Sequence, residues 1–253
     1  MSSETATRPV SADAPASTPA PLPAPAALPL RRALPALLRK ELLVELRTLQ
    51  AVPGMSLFAL STFVVFHFAL NRGSLAGDLA AGVLWVTILL AAMLGVNRLF
   101  VADADQGGFD GFLLAPVEPG AMLIAKALTL LAFLAVLEIV AVPAFGLLLL
   151  GPSLTRALPD LIGVLALADV GIAAVGTLVS AIAVHTRARD LLGPLLALPL
   201  LVPIVIGAAR ASEPLLAEGH VGHPAARWLL MLALYDLIFG LIAYALFDFL
   251  LED

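Results

Sequence analysis

The chain contains no cysteine among its 253 residues. This absence excludes disulfide bonds, cysteine-ligated zinc, thiol redox chemistry and covalent attachment of c-type haem to this chain. Charged residues are also scarce, at 13%, whereas soluble domains carry about a quarter. Hydrophobic residues make up 61% of the chain, and the mean hydropathy is +1.03. This balance indicates a polytopic membrane protein of one domain.

Lysine is almost missing, and this bears on nucleotide chemistry. Lys40 follows Arg39 and Lys126 follows Ala125, so neither completes the Gly-Lys-Ser/Thr end of a Walker A loop. Any work driven by ATP must therefore come from a partner. The sequence also shows no Ser-His-Asp or paired-carboxylate spacing, and its basic residues form no sustained patch for nucleic acid. We expect a non-catalytic membrane subunit that binds no nucleic acid and no cofactor directly.

Two segments give weak indications of a metal site. In the last external loop, "GHVGHP" places His220 and His223 three residues apart without a further ligand cluster nearby. Asp103 and Asp105 match the start of an EF-hand loop, but Leu114 stands where that loop needs a bidentate glutamate. We therefore expect no bound metal.

The first part of the chain differs in composition from the rest. Residues 1–29 are rich in Pro, Ala, Ser and Thr, lack hydrophobic periodicity and are predicted to form a disordered tail. Residues 30–52 then carry leucines every three or four positions with arginines and Lys40 between them. This pattern predicts an interfacial amphipathic helix along the membrane surface; a solvated helix packed on a soluble partner is the alternative.

Six apolar segments follow within the predicted transmembrane domain, residues 30–253. The predicted fold is therefore all-α, with six transmembrane helices. Pro194, Pro199 and Pro203 predict a kinked or broken fifth helix. The six segments are Met55–Leu70, Leu79–Val96, Met122–Leu150, Leu158–Val184, Leu191–Ala209 and Trp228–Leu250.

Basic residues favour one orientation of these helices. With the N-terminus inside, ten arginines and lysines fall in cytoplasmic segments and four fall in external loops. Both termini are therefore predicted to be cytoplasmic.

Several ionisable residues lie inside the apolar segments. Glu138, Asp169 and Asp236 have no evident intramembrane lysine or arginine to pair with, and burying each one is costly. They indicate either a translocation route or helix-contact sites where a protonated carboxyl group is hydrogen-bonded. His67, in the first span, is expected to be hydrogen-bonded to another helix.

An acidic and aromatic segment, residues 97–121, interrupts the apolar chain with "NRLFVADADQGGFDGFLLAPVEPGA". Phe109, Phe112 and Leu113 offer apolar contacts, Gly107 permits a sharp turn, and Pro116 stops the element. This combination is typical of a short cytoplasmic helix that serves as a handle for a soluble protein. An ordinary solvated connector is the alternative.

The same segment resembles the CcmB haem exporter family, the membrane subunit of the ABC complex for cytochrome c maturation. The likeness is most specific between Gly82 and Lys126. Asn97 and Asp110 stand where the family usually has glutamate, and Gly108 stands where it usually has serine. The matching positions are Gly82, Trp85, Arg98-Leu99-Phe100, Asp103, Gly107, Asp110, Leu113-Leu114-Ala115-Pro116 and Ala125-Lys126, with looser likeness at Pro143, Arg187, Arg189 and "LPLLVP".

The resemblance implies a six-helix subunit of the type-2 ABC exporter kind in the inner membrane. It implies a homodimer that works with a separate ATPase, haem-handling membrane proteins and a haem chaperone, with ATP used by the partner and haem as the cargo in question. The alternatives are a type-2 permease for another substrate and a non-transport membrane scaffold. The residues expected to couple to the ATPase are Arg98, Asp103, Gly107, Phe109, Asp110, Phe112, Leu113, Pro116 and Lys126.

Overall fold

The long apolar runs of this chain form helices, because each helix satisfies its own backbone hydrogen bonds. The structure, a computed structural model, describes residues 30–70, 74–105, 119–151, 154–184, 189–218 and 222–250. The α-helices within these ranges are α1 (Leu30–Thr48), α2 (Ala51–Leu70), α3 (Gly77–Asp105), α4 (Pro119–Phe145), α5 (Leu154–Val184), α6 (Arg189–Ser212) and α7 (Ala226–Leu250). The predicted tail, residues 1–29, lies outside the described residues.

Six of these helices are long and apolar enough to cross a membrane, which confirms the prediction of an all-α polytopic protein. Each span lies at the predicted place, although several begin or end a few residues away from it. The candidate spans are Ala51–Leu70, Gly77–Arg98, Gly120–Leu150, Leu154–Ile182, Leu195–Leu215 and Ala226–Leu246.

Of the two forms predicted for the fifth span, kinked or broken, the broken one is wrong, and the kink stays a prediction. Helix α6 runs without interruption from Arg189 to Ser212, past all three of its inner prolines. Neighbouring helices tolerate such prolines in membranes because they and local adjustments satisfy the freed carbonyl groups. The irregular backbone instead lies at the end of the third span, where a π-helix, Gly146–Leu150, follows α4 and ends at Gly151 with φ +77°.

Helix α5 lies at the centre of the packing and contacts α3, α4, α6 and α7. Its small residues Ala173, Thr177 and Ala181 are buried, as their spacing of four residues predicts for close helix packing. Gly176 belongs to the same region, since a Cβ there would lie 2.8 Å from Val96 Cγ2 of α3. Helices α2 and α7 are the least buried of the six spans.

Candidate functional site

Helix α1 is joined to the first span by a tight corner at Leu49 and Gln50. Leu49 adopts the left-handed conformation, with φ +48°, and its N–H still bonds to the Glu45 carbonyl. The Glu45 carboxylate then accepts hydrogen bonds from the backbone N–H groups of Ala51 and Val52, each at 2.9 Å. These are orphan donors at the start of α2, so a side chain of α1 caps α2.

Helix α1 is also bound to the start of the third span by a buried ion pair. Lys126 of α4 is only 2% exposed, and its Nζ lies 3.0 Å from Glu41 Oε1. Lys40 Nζ lies 3.2 Å from the same oxygen at the rim. A lysine so buried needs a close anionic partner, because an unpaired buried charge costs several kcal/mol. Glu41 therefore fixes α1 against α4.

The end of the second span has a matching contact. Arg98, near the end of α3, donates a hydrogen bond from its guanidinium group to the side-chain oxygen of Gln50 at the α1–α2 corner. Residues 106–118 connect α3 to α4. Both helices that flank this connection are thus bonded to α1 or its corner. We refer to the Arg98–Gln50 and Lys126–Glu41 contacts as the stem contacts.

The stem contacts include two of the predicted ATPase-coupling residues, Arg98 and Lys126, each bonded to a different residue of α1 or its corner. Asp103 lies on α3, in its last turn. The other six predicted coupling residues lie outside the described residues: Gly107, Phe109, Asp110, Phe112, Leu113 and Pro116. Sequence reasoning missed Glu41, Glu45 and Gln50. The available signal was the spacing of two glutamates, four residues apart, within an otherwise basic helix.

Other contacts hold the end of α3 from the opposite side. Ser180 Oγ of α5 donates a hydrogen bond to the Val96 carbonyl at 2.9 Å, and both groups are buried. Asn97 lies over Gly193 of α6, where a Cβ would be 3.2 Å from Asn97 Oδ1. The end of the second span is therefore braced by α5, by α6 and by the α1–α2 corner.

Two of the intramembrane carboxyl groups meet each other. Glu138 of α4 and Asp169 of α5 lie close together across the interface of these two helices, and Asp169 is buried. Glu138 Oε1 and Asp169 Oδ1 are each buried without a hydrogen-bond partner among the described residues. The pair joins two spans at a helix interface.

Asp236 of α7 occupies a separate position on the other side of α5. Its carboxyl group packs directly onto Gly171, and both oxygens are buried without a hydrogen-bond partner among the described residues. A Cβ at residue 171 would meet Asp236 Oδ1 and lie 2.9 Å from Ile204 Cδ1, so any larger residue at this point of α5 must displace these side chains. The three carboxyl groups thus form one pair and one separate site.

At the other end of the molecule, the π-helix accepts hydrogen bonds from the region around the end of α2. The Leu148 carbonyl lies 2.6 Å from His67 Nδ1, and the Leu149 carbonyl accepts a bond from Leu75 N–H at 2.6 Å. The expected hydrogen bond of His67 to another helix segment is therefore confirmed. No group of three or more metal-ligating side chains occurs in the described part of the chain; His223 contacts Asp160, and His220 lies outside it.

Replacing His67 with phenylalanine should lower the free energy of unfolding by about 1 kcal/mol. The change keeps a ring of similar size and removes a partly buried hydrogen bond to Leu148, whose net contribution is of that order. Thermal unfolding in detergent measures the loss. His223→Phe is the matched control, because His223 is exposed and its contact with Asp160 lies at the surface. Equal stability of the two variants would contradict the role assigned to His67.

Another buried contact involves Trp85 of α3, one of the positions that carried the family resemblance. Its ring is fully buried, and Nε1–H donates a hydrogen bond to Ser212 Oγ at 3.0 Å. Ser212 in turn donates to the Ala208 carbonyl at 2.8 Å. Trp85 thus joins the start of α3 to the end of α6, away from the stem contacts.

These helices and contacts define an all-α, polytopic membrane protein. The chain belongs to the CcmB protein family, which it matches over residues 32–248. It is 32% identical to heme exporter protein B of Rhodobacter capsulatus over 65% of this chain and 77% of that protein. It is 34% identical to heme exporter protein B of Paracoccus denitrificans over 59% of this chain and 67% of that protein. The protein of the same name from Bradyrhizobium diazoefficiens is 31% identical over 83% of this chain and 94% of its own length.

Proposed function

We propose that this chain is the membrane subunit of an ABC-type complex for cytochrome c maturation, which works with a separate ATPase in haem delivery or release of the haem-loaded chaperone. The match to the CcmB family over residues 32–248 carries the proposal. The relatives named heme exporter protein B support haem as the cargo. The lack of a Walker A loop in the sequence supports a partner that supplies the ATP hydrolysis.

The orientation we propose places both termini in the cytoplasm of a cell with an inner membrane. The distribution of basic residues, ten against four, supports it. Under this orientation the stem contacts lie at the cytoplasmic side. The surface pairs Arg210–Glu213 and Asp160–His223 then lie at the external side.

In this proposal, residues 97–121 are the coupling segment that docks on the ATPase of a homodimeric complex. The acidic and aromatic residues of the segment suit a groove with a basic rim. Arg98 and Lys126 act indirectly, since each is bonded to α1 or its corner. Docking forces on the segment would then reach α1 through the stem contacts.

The function is tested by deleting the gene and staining c-type cytochromes for covalent haem. The proposal expects their loss in the deletion strain and recovery with the intact chain. Unchanged c-type cytochromes would favour a type-2 permease for another substrate. If an ATPase without hydrolytic activity still supported maturation, a non-transport scaffold would be favoured instead.

Docking is tested by the double variant Asp110→Lys with Phe112→Ala. It should co-purify with less than about a tenth of the ATPase retained by the unchanged protein, because a charge is reversed and an apolar contact removed. A matched double variant is Asp160→Lys with Phe68→Ala, two residues with exposed side chains at the opposite end of the molecule. Full ATPase retention by the first pair, with normal membrane insertion, would refute the docking assignment.

A further inference from the structure

The acidic and the basic side chains of α1 lie on different sides of the helix. Its two described acidic side chains face the protein: Glu41 binds Lys126, and Glu45 caps α2. The basic side chains on the other side are exposed, and they recur at spacings of seven and eight residues, which returns them to one side of a helix. These side chains are Arg32, Arg39, Lys40 and Arg47.

Exposed leucines lie on the same outward half of α1. Leu43 and Leu46 are exposed, as is Leu49 at the corner that follows α1, and Leu46 exposes 68% of its surface. A helix whose basic side chains adjoin a row of exposed leucines is suited to the boundary between headgroups and acyl chains. If water surrounded α1, the apolar surface of these leucines would remain in contact with water.

The position of α1 places this half at the membrane boundary. The corner between Thr48 and Ala51 is two residues long, so α1 ends where the first span begins. Glu41 reaches Lys126, which lies six residues inside the candidate span Gly120–Leu150. The helix is about 28 Å long at 1.5 Å per residue. Helix α1 therefore lies beside the membrane-spanning helices, at the depth where the lipid headgroups begin.

We infer that the outward half of α1 is a binding surface for anionic phospholipid headgroups. Arg32, Arg39 and Arg47 bind the phosphates, and Leu43 and Leu46 insert beside the acyl chains. Lys40 remains paired with Glu41 at the rim. Charge complementarity selects this occupant, since the inward glutamates leave the outward half purely basic among its described charges. The inference concerns the membrane contact alone and holds for any substrate of the complex.

The absence of cysteine allows a direct test on the full chain. The variant Leu46→Cys carries a single thiol, which is labelled with bimane, and the protein is placed in phosphatidylcholine nanodiscs. Quenching is compared between traces of spin-labelled phosphatidylglycerol and spin-labelled phosphatidylcholine. The inference expects severalfold stronger quenching by phosphatidylglycerol, with a preference that falls as salt is raised.

Neutralising the basic side chains provides the second part of the quenching test. Replacing Arg32, Arg39 and Arg47 with glutamine, one after another, should lower the preference at each step until the two lipids quench the label equally. The matched control replaces Arg156, Arg210 and Arg227 with glutamine at the other end and should leave quenching of the bimane label on α1 unchanged.

Three results would overturn the inference. Equal quenching by the two lipids with the basic side chains intact would exclude headgroup selection, and quenching by neither would show that this half of α1 faces water or a protein. Competition by free inorganic phosphate would assign the site to a soluble anion. The salt titration uses the intact basic side chains, so the test stands even if a glutamine variant fails to fold.

Discussion

Replacing Lys126 with alanine is expected to lower the free energy of unfolding by about 3 kcal/mol. The change leaves Glu41 at the α1–α4 contact without its buried partner, while Lys40 at the rim remains near its carboxylate. The loss should appear as a lower midpoint of thermal unfolding in detergent. It should also appear as earlier proteolysis within α1, because Glu41 no longer fixes this helix to α4.

The controls separate the buried pair from surface pairs and from simple loss of charge. Arg210→Ala breaks an exposed ion pair with Glu213 and should cost less than about 1 kcal/mol. The double variant Lys126→Met with Glu41→Leu should recover most of the stability, because apolar side chains of similar size often replace a buried pair without loss. If Lys126→Ala were no worse than Arg210→Ala, the pair would not hold α1 in place.

The second large effect is expected at Gly171, where α5 touches the Asp236 carboxyl group. Gly171→Ala should destabilise the protein by about 2 kcal/mol, the usual cost of inserting a methyl group into a tight contact. The new Cβ would meet Asp236 and lie 2.9 Å from Ile204. Unfolding in detergent measures this loss, and residual c-type cytochrome in cells reports its functional consequence.

Gly163→Ala is the matched control in the same helix. Nothing lies within 4 Å of a Cβ at residue 163, and alanine favours helix over glycine by roughly 1 kcal/mol. Gly171→Ala should therefore lower the free energy of unfolding, whereas Gly163→Ala should raise it. Adding Asp236→Ala to Gly171→Ala should recover most of the loss, because it removes the group that the new methyl group meets. Equal stability of Gly171→Ala and Gly163→Ala would disprove the assigned contact.

The sequence predicted the helices because their signals are local. A run of about 20 apolar residues predicts a span without knowledge of its neighbours, and the spacing of leucines and arginines predicted the helical character of residues 30–52. The prolines of α6 did not decide between a kinked and a broken helix, because their effect depends on the neighbours that satisfy the freed carbonyl groups. The positions of the six spans were therefore better predicted than the course of the backbone within a single span.

The contacts between helices could not be predicted in the same way. Glu138 and Asp169 each lack an evident basic partner in the sequence, and only the packing of α4 on α5 reveals that they lie next to each other. Lys126 was expected to couple to the ATPase, whereas its buried position places it against Glu41. The charge pattern of α1 became informative once the structure showed which side of the helix faces the protein.

One consequence follows from three contacts that lie far apart along the chain. Lys126 ties the near end of α4 to α1, the Glu45 cap ties α1 to α2, and His67 ties the far end of α2 back to the π-helix after α4. These contacts join α1, α2 and α4 with its π-helix in a closed ring. We therefore expect that α1, α2 and α4 can move relative to one another only if at least one of these contacts is lost.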